Sequence, residues 1–164
     1  EDKITPIGPK ARNLNKKFDF NEGEFNQLTY WMNRQIIDDY PMELVSPVDW
    51  TDESQNINDR VRSYLDVNCG HCHSPTGNAN STGLYLHLDE TRDIHLGLYK
   101  KPVATGRGSG GLKYSIVPGK PDESILLHRM ISLDPGVMMP ESGRALSHTE
   151  AVDMVREWIL VMED

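Results

Sequence analysis

Apolar side chains recur at helical spacing in three stretches of the C-terminal two thirds of the chain. Between residues 52 and 68 they fall every three or four positions, and Thr51 or Asp52 can cap this helix. The same spacing follows Ser147-His148-Thr149-Glu150, which has the pattern of a capping box. A shorter helix is predicted after Lys120-Pro121-Asp122-Glu123, because proline suits the first helical position and acidic residues suit the positive helix end.

The rest of the chain gives weaker signals. Glycine and proline recur through residues 74–120, which predicts mainly loops. A fourth helix is predicted from Asn21 to Ile37, with an Asn21-x-x-Glu24 cap. One helix cannot bury its apolar stripe alone, so we expect residues 1–50 to be an extension that packs on a core formed by residues 51–164. The alternative is a docking element for a neighbouring domain. The predicted fold class is mainly α.

Composition and charge narrow the class of protein. The 164 residues suit one globular unit, although a hydrophobic content of 37% predicts a lean core. Seventeen basic and 25 acidic residues give a net charge of −8. This charge argues against a nucleic-acid partner and favours a soluble protein whose partners present a cationic docking face. No apolar run approaches the ~20 residues of a membrane helix. Without an initiator Met or a signal peptide, Glu1 is expected to begin a mature or excised segment.

The strongest chemical signal is a five-residue motif. Both cysteines of the chain lie in Cys69-Gly70-His71-Cys72-His73. This is C-x-x-C-H, the attachment signature of c-type haem. The two thiols of such a motif add to the two vinyl groups of one porphyrin, and the adjacent histidine then binds the iron. The motif therefore predicts one covalently attached haem c, with His73 as an axial ligand.

Three other interpretations of the motif are weaker. A thioredoxin-like pair would follow a strand within a βαβ unit, and no such pattern surrounds residue 69. A structural zinc site needs four ligands, and the nearest candidates, His87 and His95, are too far apart to form the second pair. A disulfide across two residues would close too short a loop to stabilise the chain much. Zinc and dithiol chemistry remain alternatives to haem.

The sequence resembles the class I cytochrome c family over about residues 51–164. Residues 64–73 are similar to its first helix and haem site, and Val137-Met138-Met139-Pro140 is similar to the distal Met-Pro loop. Residues 117–126 resemble a bacterial subgroup, whose members are often attached to larger secreted or periplasmic redox and carbohydrate-active proteins. The resemblance implies helices and glycine-rich loops wrapped around one haem. The long glycine-rich segment 96–119 departs from the family pattern.

The resemblance also implies an assignment for the second axial ligand. It places this ligand immediately before proline, which selects Met139, with Met138 or a histidine as alternatives. The ring of His73 is expected to donate its other N–H to a backbone carbonyl within residues 75–84. Haem propionates need cationic or hydroxyl partners. The candidates for the haem surroundings are Arg107, Lys113, Tyr114, Pro118 and Arg129.

These features predict a function and a compartment. With His73 and Met139 on the iron, the domain would transfer single electrons, as a carrier or as a relay module of a larger redox protein, and would not be an enzyme. The alternative is a haem enzyme of the peroxidase type, which needs a displaceable sixth ligand. Thioether attachment in bacteria takes place outside the cytoplasmic membrane, so the resemblance implies the periplasm or the cell surface. The expected partners are redox proteins.

Overall fold

The protein is mainly helical, as the periodicity of its apolar residues predicts. The computed structural model describes residues 9–141 and 143–163. The chain forms two compact units that divide between Val48 and Asp49. None of the helices in the described ranges has both the length and the apolar character needed to cross a bilayer.

The first unit contains a hairpin that the sequence analysis missed. Its elements are α1 (Ala11–Leu14), β1 (Lys17–Phe20), β2 (Gly23–Asn26) and α2 (Gln27–Asn33). The strands β1 and β2 are antiparallel, with Phe18 paired to Phe25. The predicted helix from Asn21 to Ile37 is therefore wrong at its start, because Gly23 adopts a φ of +125° at the turn and the chain is extended up to Asn26.

The boundaries of α2 have local causes. The side-chain oxygen of Asn26 accepts hydrogen bonds from the backbone N–H groups of Leu28 and Thr29, both at 3.1 Å, so Asn26 caps the helix. The helix is buried only at Leu28. It ends before the predicted Ile37 because Gln35 adopts a left-handed φ of +57°.

The second unit holds the main core. Its α-helices are α3 (Ile57–Asn68), α4 (Asp93–Leu96), α5 (Ile125–Ile131) and α6 (Thr149–Leu160). As predicted, residues 74–120 are mainly loops, with short helical turns and isolated parallel bridges between Leu98 and Ile116 and between Tyr114 and Ser124. Short 3₁₀ turns lie at Asn80–Thr82, Gly106–Ser109 and Pro121–Glu123.

Helices α3, α5 and α6 contribute most of the buried apolar side chains of this core. On α3 these include Val61 and Leu65, and on α5 Leu127 is fully buried. The indole Nε1 of Trp158 on α6 donates to Asn58 Oδ1 at 3.1 Å, which ties the end of α6 to the start of α3. The core therefore joins helices that are far apart in sequence. The buried side chains of α6 are Ala151, Val152, Met154, Val155, Trp158 and Ile159.

Two predicted helix starts are wrong. Helix α3 begins at Ile57, because the side chain of Asn56 accepts from the N–H of Asn58 at 2.8 Å, whereas Asp52 accepts from Ser54 in a preceding turn. The predicted capping box before α6 does not form. Ser147 Oγ instead donates to the carbonyl of Met130 at 3.2 Å, so its hydroxyl is used to hold the end of α5.

Two buried charged residues of α3 hold the loop at residues 87–90. Arg62 is 7% exposed, and its Nη2 donates to the carbonyls of His87, Leu88 and Glu90 at 2.8, 3.0 and 2.7 Å. Asp66 is 1% exposed and accepts from the N–H of Leu88 at 3.0 Å. Since they are four residues apart, Arg62 and Asp66 lie on the same face of α3 and bind the same loop.

Nearby carboxylates compensate the buried positive charge of Arg62. Burial lowers the pKa of the Arg62 guanidinium, and the carboxylates of Glu90, Asp66 and Asp89 oppose that shift. The carboxylate of Glu90 is itself buried and accepts from the side chain of Arg92, which lowers the pKa of Glu90 to about 2. A buried charge with such partners is far less costly than an unpaired one.

Substitution of Arg62 by Leu should lower the free energy of unfolding by about 2–4 kcal/mol, since three carbonyls, one of them fully buried, lose their donor. Leu and Arg have similar helix propensities, so the change isolates the buried contacts. The measurement is urea denaturation at neutral pH.

Arg156→Leu is the matched control. Arg156 lies on α6 and forms an ion pair of 2.7 Å with the exposed Asp122, so its loss should cost at most about 1 kcal/mol. Equal costs for the two variants would contradict the role given to Arg62.

Candidate functional site

The cysteine–histidine motif continues α3 by one turn. Cys69 ends the helix, and its N–H donates to the carbonyl of Leu65 at 2.8 Å. The N–H groups of Cys72 and His73 both donate to the carbonyl of Cys69, at 3.1 and 2.9 Å. Both cysteines are free thiols. The backbone of a single turn thus carries both thiols and the imidazole.

Two glycines allow the chain to pack tightly around this turn. A Cβ at residue 77 would overlap the carbonyl oxygen of Cys72 and lie 2.7 Å from that of His71. A Cβ at residue 70 would lie 2.8 Å from the carbonyl oxygen of Asp66 on α3. Because these neighbours are backbone atoms, they cannot move aside as a flexible side chain would. The turn requires glycine at both positions.

The environment of the cysteines bears on the zinc alternative. Burial, with a smaller contribution from nearby Cys72, raises the pKa of the Cys69 thiol to about 12. The thiol of the metal-free chain is therefore protonated at neutral pH, and a zinc ion would have to displace that proton on binding. Over the described part of the chain, no group of three or more His, Cys, Asp or Glu side chains is placed to hold a metal ion. A His/Met haem iron needs only one such side chain, because the porphyrin supplies four ligands.

His73 has the properties of a neutral imidazole. Burial lowers its pKa, so the ring is uncharged at neutral pH, which is the form that binds a metal. The backbone carbonyl of Leu84, which lies in the predicted range 75–84, opposes this shift. Nδ1 of His73 is buried and has no hydrogen-bond partner among the described residues, so the Leu84 carbonyl is near the ring but does not accept a bond from it. The N–H of Leu86 donates to the carbonyl of His73 at 2.8 Å and holds the two segments together.

Arg129 holds the loop that contains Met139. Its carbonyl accepts from the N–H of Met139 at 3.0 Å, and its side-chain Nε donates to the carbonyl of Val137 at 2.7 Å. Arg144 supports the same region, since it donates to the carbonyl of Met130 at 2.7 Å and to that of Ser132. The Met-Pro loop is therefore fixed to the end of α5. The side chains of Met138 and Met139 are both half-buried.

Arg129 also acts electrostatically on His73 of the cysteine–histidine motif. Its positive charge contributes to the lowered pKa of His73, so the guanidinium lies within electrostatic range of the imidazole. Burial lowers the pKa of Arg129 itself. A Cβ at Gly108 would lie 3.3 Å from the guanidinium, which shows how closely the glycine-rich segment packs on this arginine. One half-buried cation thus contacts the loop of Met139 and acts electrostatically on His73.

The five residues predicted to surround a haem fall into two groups. Arg107 is mostly exposed, pairs with Asp134 at 3.1 Å and packs over Gly136, so it adjoins the Met-Pro loop as Arg129 does. Lys113, Tyr114 and Pro118 instead line a surface cavity. The lining of that cavity, taken over the described residues, includes none of residues 69–73 or 138–140.

The remaining histidines have other contacts. His95 Nδ1 lies 3.5 Å from the carboxylate of Glu90, and the ring of His128 packs so closely on Gly110 that a Cβ there would lie 2.5 Å from Nε2. His71 is half-buried, and among the described residues its Nδ1 has no hydrogen-bond partner.

Other methionines are less suited to be a ligand than Met138 and Met139. Met130 and Met154 are buried in the apolar core, as their helical spacing predicts. Met42, in the first unit, is 81% exposed.

Three residues that position the motif were not predicted from the sequence. Tyr64 is 8% exposed, shares a hydrogen bond of 3.1 Å with His148 Nδ1, and has its pKa raised to about 12 by burial and by nearby Cys69. Arg62 and Asp66 complete the set. The sequence feature that could have identified Arg62 and Asp66 is a pair of opposite charges four residues apart, on the buried side of α3 that also carries Val61 and Leu65.

Comparison of the chain with protein-family models, curated proteins and solved structures gives no match. Whether the site suits a covalent haem is therefore judged from its own donor groups. Two unpaired thiols and a neutral imidazole on the same turn are the groups that attach such a haem, and a thioether on a fixed loop and a half-buried arginine can serve as a second ligand and a propionate partner. The residues present fit the group.

Gly77→Ala should lower the free energy of unfolding by at least about 2 kcal/mol, because the added Cβ overlaps a backbone carbonyl that cannot move alone. Gly119→Ala is the control, since Gly119 has a φ of +70° but open space around it, and the strain should cost about 1 kcal/mol. Both values come from chemical denaturation. A Gly77 variant as stable as the Gly119 variant would show that the turn tolerates a side chain.

Proposed function

We propose that this chain carries one covalently attached haem c and transfers single electrons. The observation that carries the proposal is the placement of Cys69, Cys72 and His73 on one turn, with the imidazole kept neutral by burial. Two thiols and a neutral imidazole at this spacing match the attachment chemistry of c-type haem. When bound, the haem supplies an iron that cycles between the ferrous and ferric states.

The residues around the motif would orient the proximal ligand. Nε2 of His73 would bind the iron, which leaves Nδ1 to donate to the nearby carbonyl of Leu84. The Arg62 and Asp66 contacts hold the loop that comes after Leu84 and Leu86. A fixed carbonyl at Nδ1 keeps the ring in one orientation and makes it a stronger donor.

Met139 would supply the second axial ligand. Its thioether is a soft neutral donor, which favours the ferrous over the ferric state and raises the reduction potential relative to a second histidine. The hydrogen bond from its N–H to Arg129 and the bond from Arg129 to Val137 support this assignment, because a ligand loop must hold its side chain in place. With both axial positions filled, small molecules such as peroxide would be excluded from the iron.

Arg129 and Arg107 are the proposed partners of the haem propionates. Both adjoin the Met-Pro loop, and Arg129 also lies within electrostatic range of His73. A carboxylate beside the half-buried Arg129 would offset the cost of burying its charge.

The proposal extends to fold and setting. Residues 51–164 would have a class I cytochrome c fold, and thioether attachment would place the protein in the bacterial periplasm or at the cell surface. Its net charge of −8 suits a redox partner with a cationic docking face. The chain would act as a carrier or as a relay module of a larger redox protein.

Substitution of Met139 by Ala tests the proposed ligand. The protein is produced in a host that attaches haem c, and its ferric absorption spectrum is recorded with and without cyanide. Wild type should show the sulfur-to-iron charge-transfer band and no response to cyanide, whereas Met139→Ala should lose the band and bind cyanide. Met139→His should remain low-spin at a lower reduction potential.

Met138→Ala is the matched control and should retain the band. Loss of the band in Met138→Ala, with retention in Met139→Ala, would place the ligand one residue earlier. Retention in both variants would show that neither methionine is the ligand. A wild-type spectrum that responds to cyanide or peroxide would favour the peroxidase alternative.

A further inference from the structure

The cavity that contains Lys113, Tyr114 and Pro118 has features of a binding site in its own right. Its volume is about 450 Å³, within the range of small-molecule sites. Two tyrosines and two lysines line it, and the buried residues Val117 and Pro118 give it an apolar floor.

Backbone hydrogen bonds fix the walls of this cavity relative to one another. The N–H of Tyr99 donates to the carbonyl of Ile116 at 2.9 Å, and the N–H of Ile125 donates to that of Tyr114 at 3.1 Å. Ser124 is fully buried, and its Oγ accepts from Val117 and donates to the carbonyl of Lys120 at 2.9 and 3.0 Å. The cavity is therefore largely preformed.

The two tyrosines form an aromatic wall. Their ring centroids lie 5.8 Å apart at an angle of 85°, which is an edge-to-face arrangement. Tyr99 holds this position with a φ of +48°, a conformation that a non-glycine residue adopts at a cost of about 1 kcal/mol or more. Tyr99 is 47% exposed, so an aromatic ligand can reach its ring.

The charge of the lining favours an anion. Lys120 pairs with Glu123 at 3.3 Å, so these two residues compensate each other. Lys113 forms no ion pair with any other described residue. The lining thus carries one uncompensated positive charge, that of Lys113, which adjoins Tyr114 in sequence.

From this combination we infer that the cavity binds a small aromatic carboxylate. The ligand ring packs against Tyr99, Tyr114 and the apolar floor, and its carboxylate pairs with Lys113. An aromatic ring gains from the tyrosine wall, while the carboxylate gives Lys113 the partner that the chain does not supply. This inference does not depend on the proposed haem.

Equilibrium dialysis of the purified full chain against 2-naphthoate at low salt tests the inference. Saturable binding at one site is expected, with a Kd of about 1 mM or below for a ligand of this size. The neutral analogue 2-naphthamide should bind about five-fold more weakly or worse, because it lacks the charge that pairs with Lys113. Inorganic phosphate at equal concentration should not displace 2-naphthoate.

Three variants locate the site. Lys113→Gln should abolish the preference for 2-naphthoate over 2-naphthamide, and Tyr114→Leu should weaken both ligands. Lys101→Gln, at an exposed lysine outside the lining, should leave both affinities unchanged.

Absence of saturable binding, equal affinity for the two naphthyl compounds, or equal effects of Lys113→Gln and Lys101→Gln would overturn the assignment. Displacement by phosphate would overturn it too, since the cavity would then take any anion. Binding to the wild-type protein is measured first. Its absence would overturn the inference even if a variant failed to fold.

Discussion

Two charged side chains buried on α3 fix the position of the loop at residues 87–90. Arg62 binds three carbonyls of residues 87–90, and Asp66 binds the N–H of Leu88. The same helix ends at Cys69, so one rigid element sets the position both of the motif and of the loop beside it. The carbonyl near His73 belongs to Leu84, three residues before this loop. An apolar pair at these two positions would leave the loop without its anchor.

Arg129 provides a second constraint, which acts on the Met-Pro loop. Arg129 binds the Met-Pro loop through its carbonyl and its Nε, and its charge reaches His73. The motif and the Met-Pro loop are more than sixty residues apart in sequence, yet one side chain interacts with both. In the proposed function these contacts position the ligands, and the residues that touch the iron are only His73 and Met139.

The sequence predicted the features that depend on local chemistry. The mainly helical fold, a helix after residues 120–123 and the loop character of residues 74–120 are confirmed, because periodicity and glycine or proline content act over a few residues. Pro121, however, begins a separate 3₁₀ turn, and α5 starts only at Ile125. The hairpin of β1 and β2 was missed, since Phe25 also fits the apolar stripe of a helix that continues through Leu28. Ser147 was assigned to a cap, but the carbonyl of Met130 competes for its hydroxyl. Such competition depends on tertiary packing, which periodicity does not encode.

In the candidate site, too, features of the local sequence could be predicted, whereas tertiary contacts could not. The motif is read directly from the sequence, and the carbonyl of Leu84, which influences the pKa of His73, lies within the predicted range 75–84. The contacts of Arg129 and the separate cavity at Lys113 could not be predicted. The central claim is a covalent haem on Cys69 and Cys72, and the intact mass of the denatured protein tests it most directly. For protein made in a host that attaches haem c, we predict the mass of the chain plus one haem, and the mass of the chain alone for the Cys69→Ala, Cys72→Ala double variant. A wild-type mass without haem, or colour that acid acetone extracts, would contradict the account.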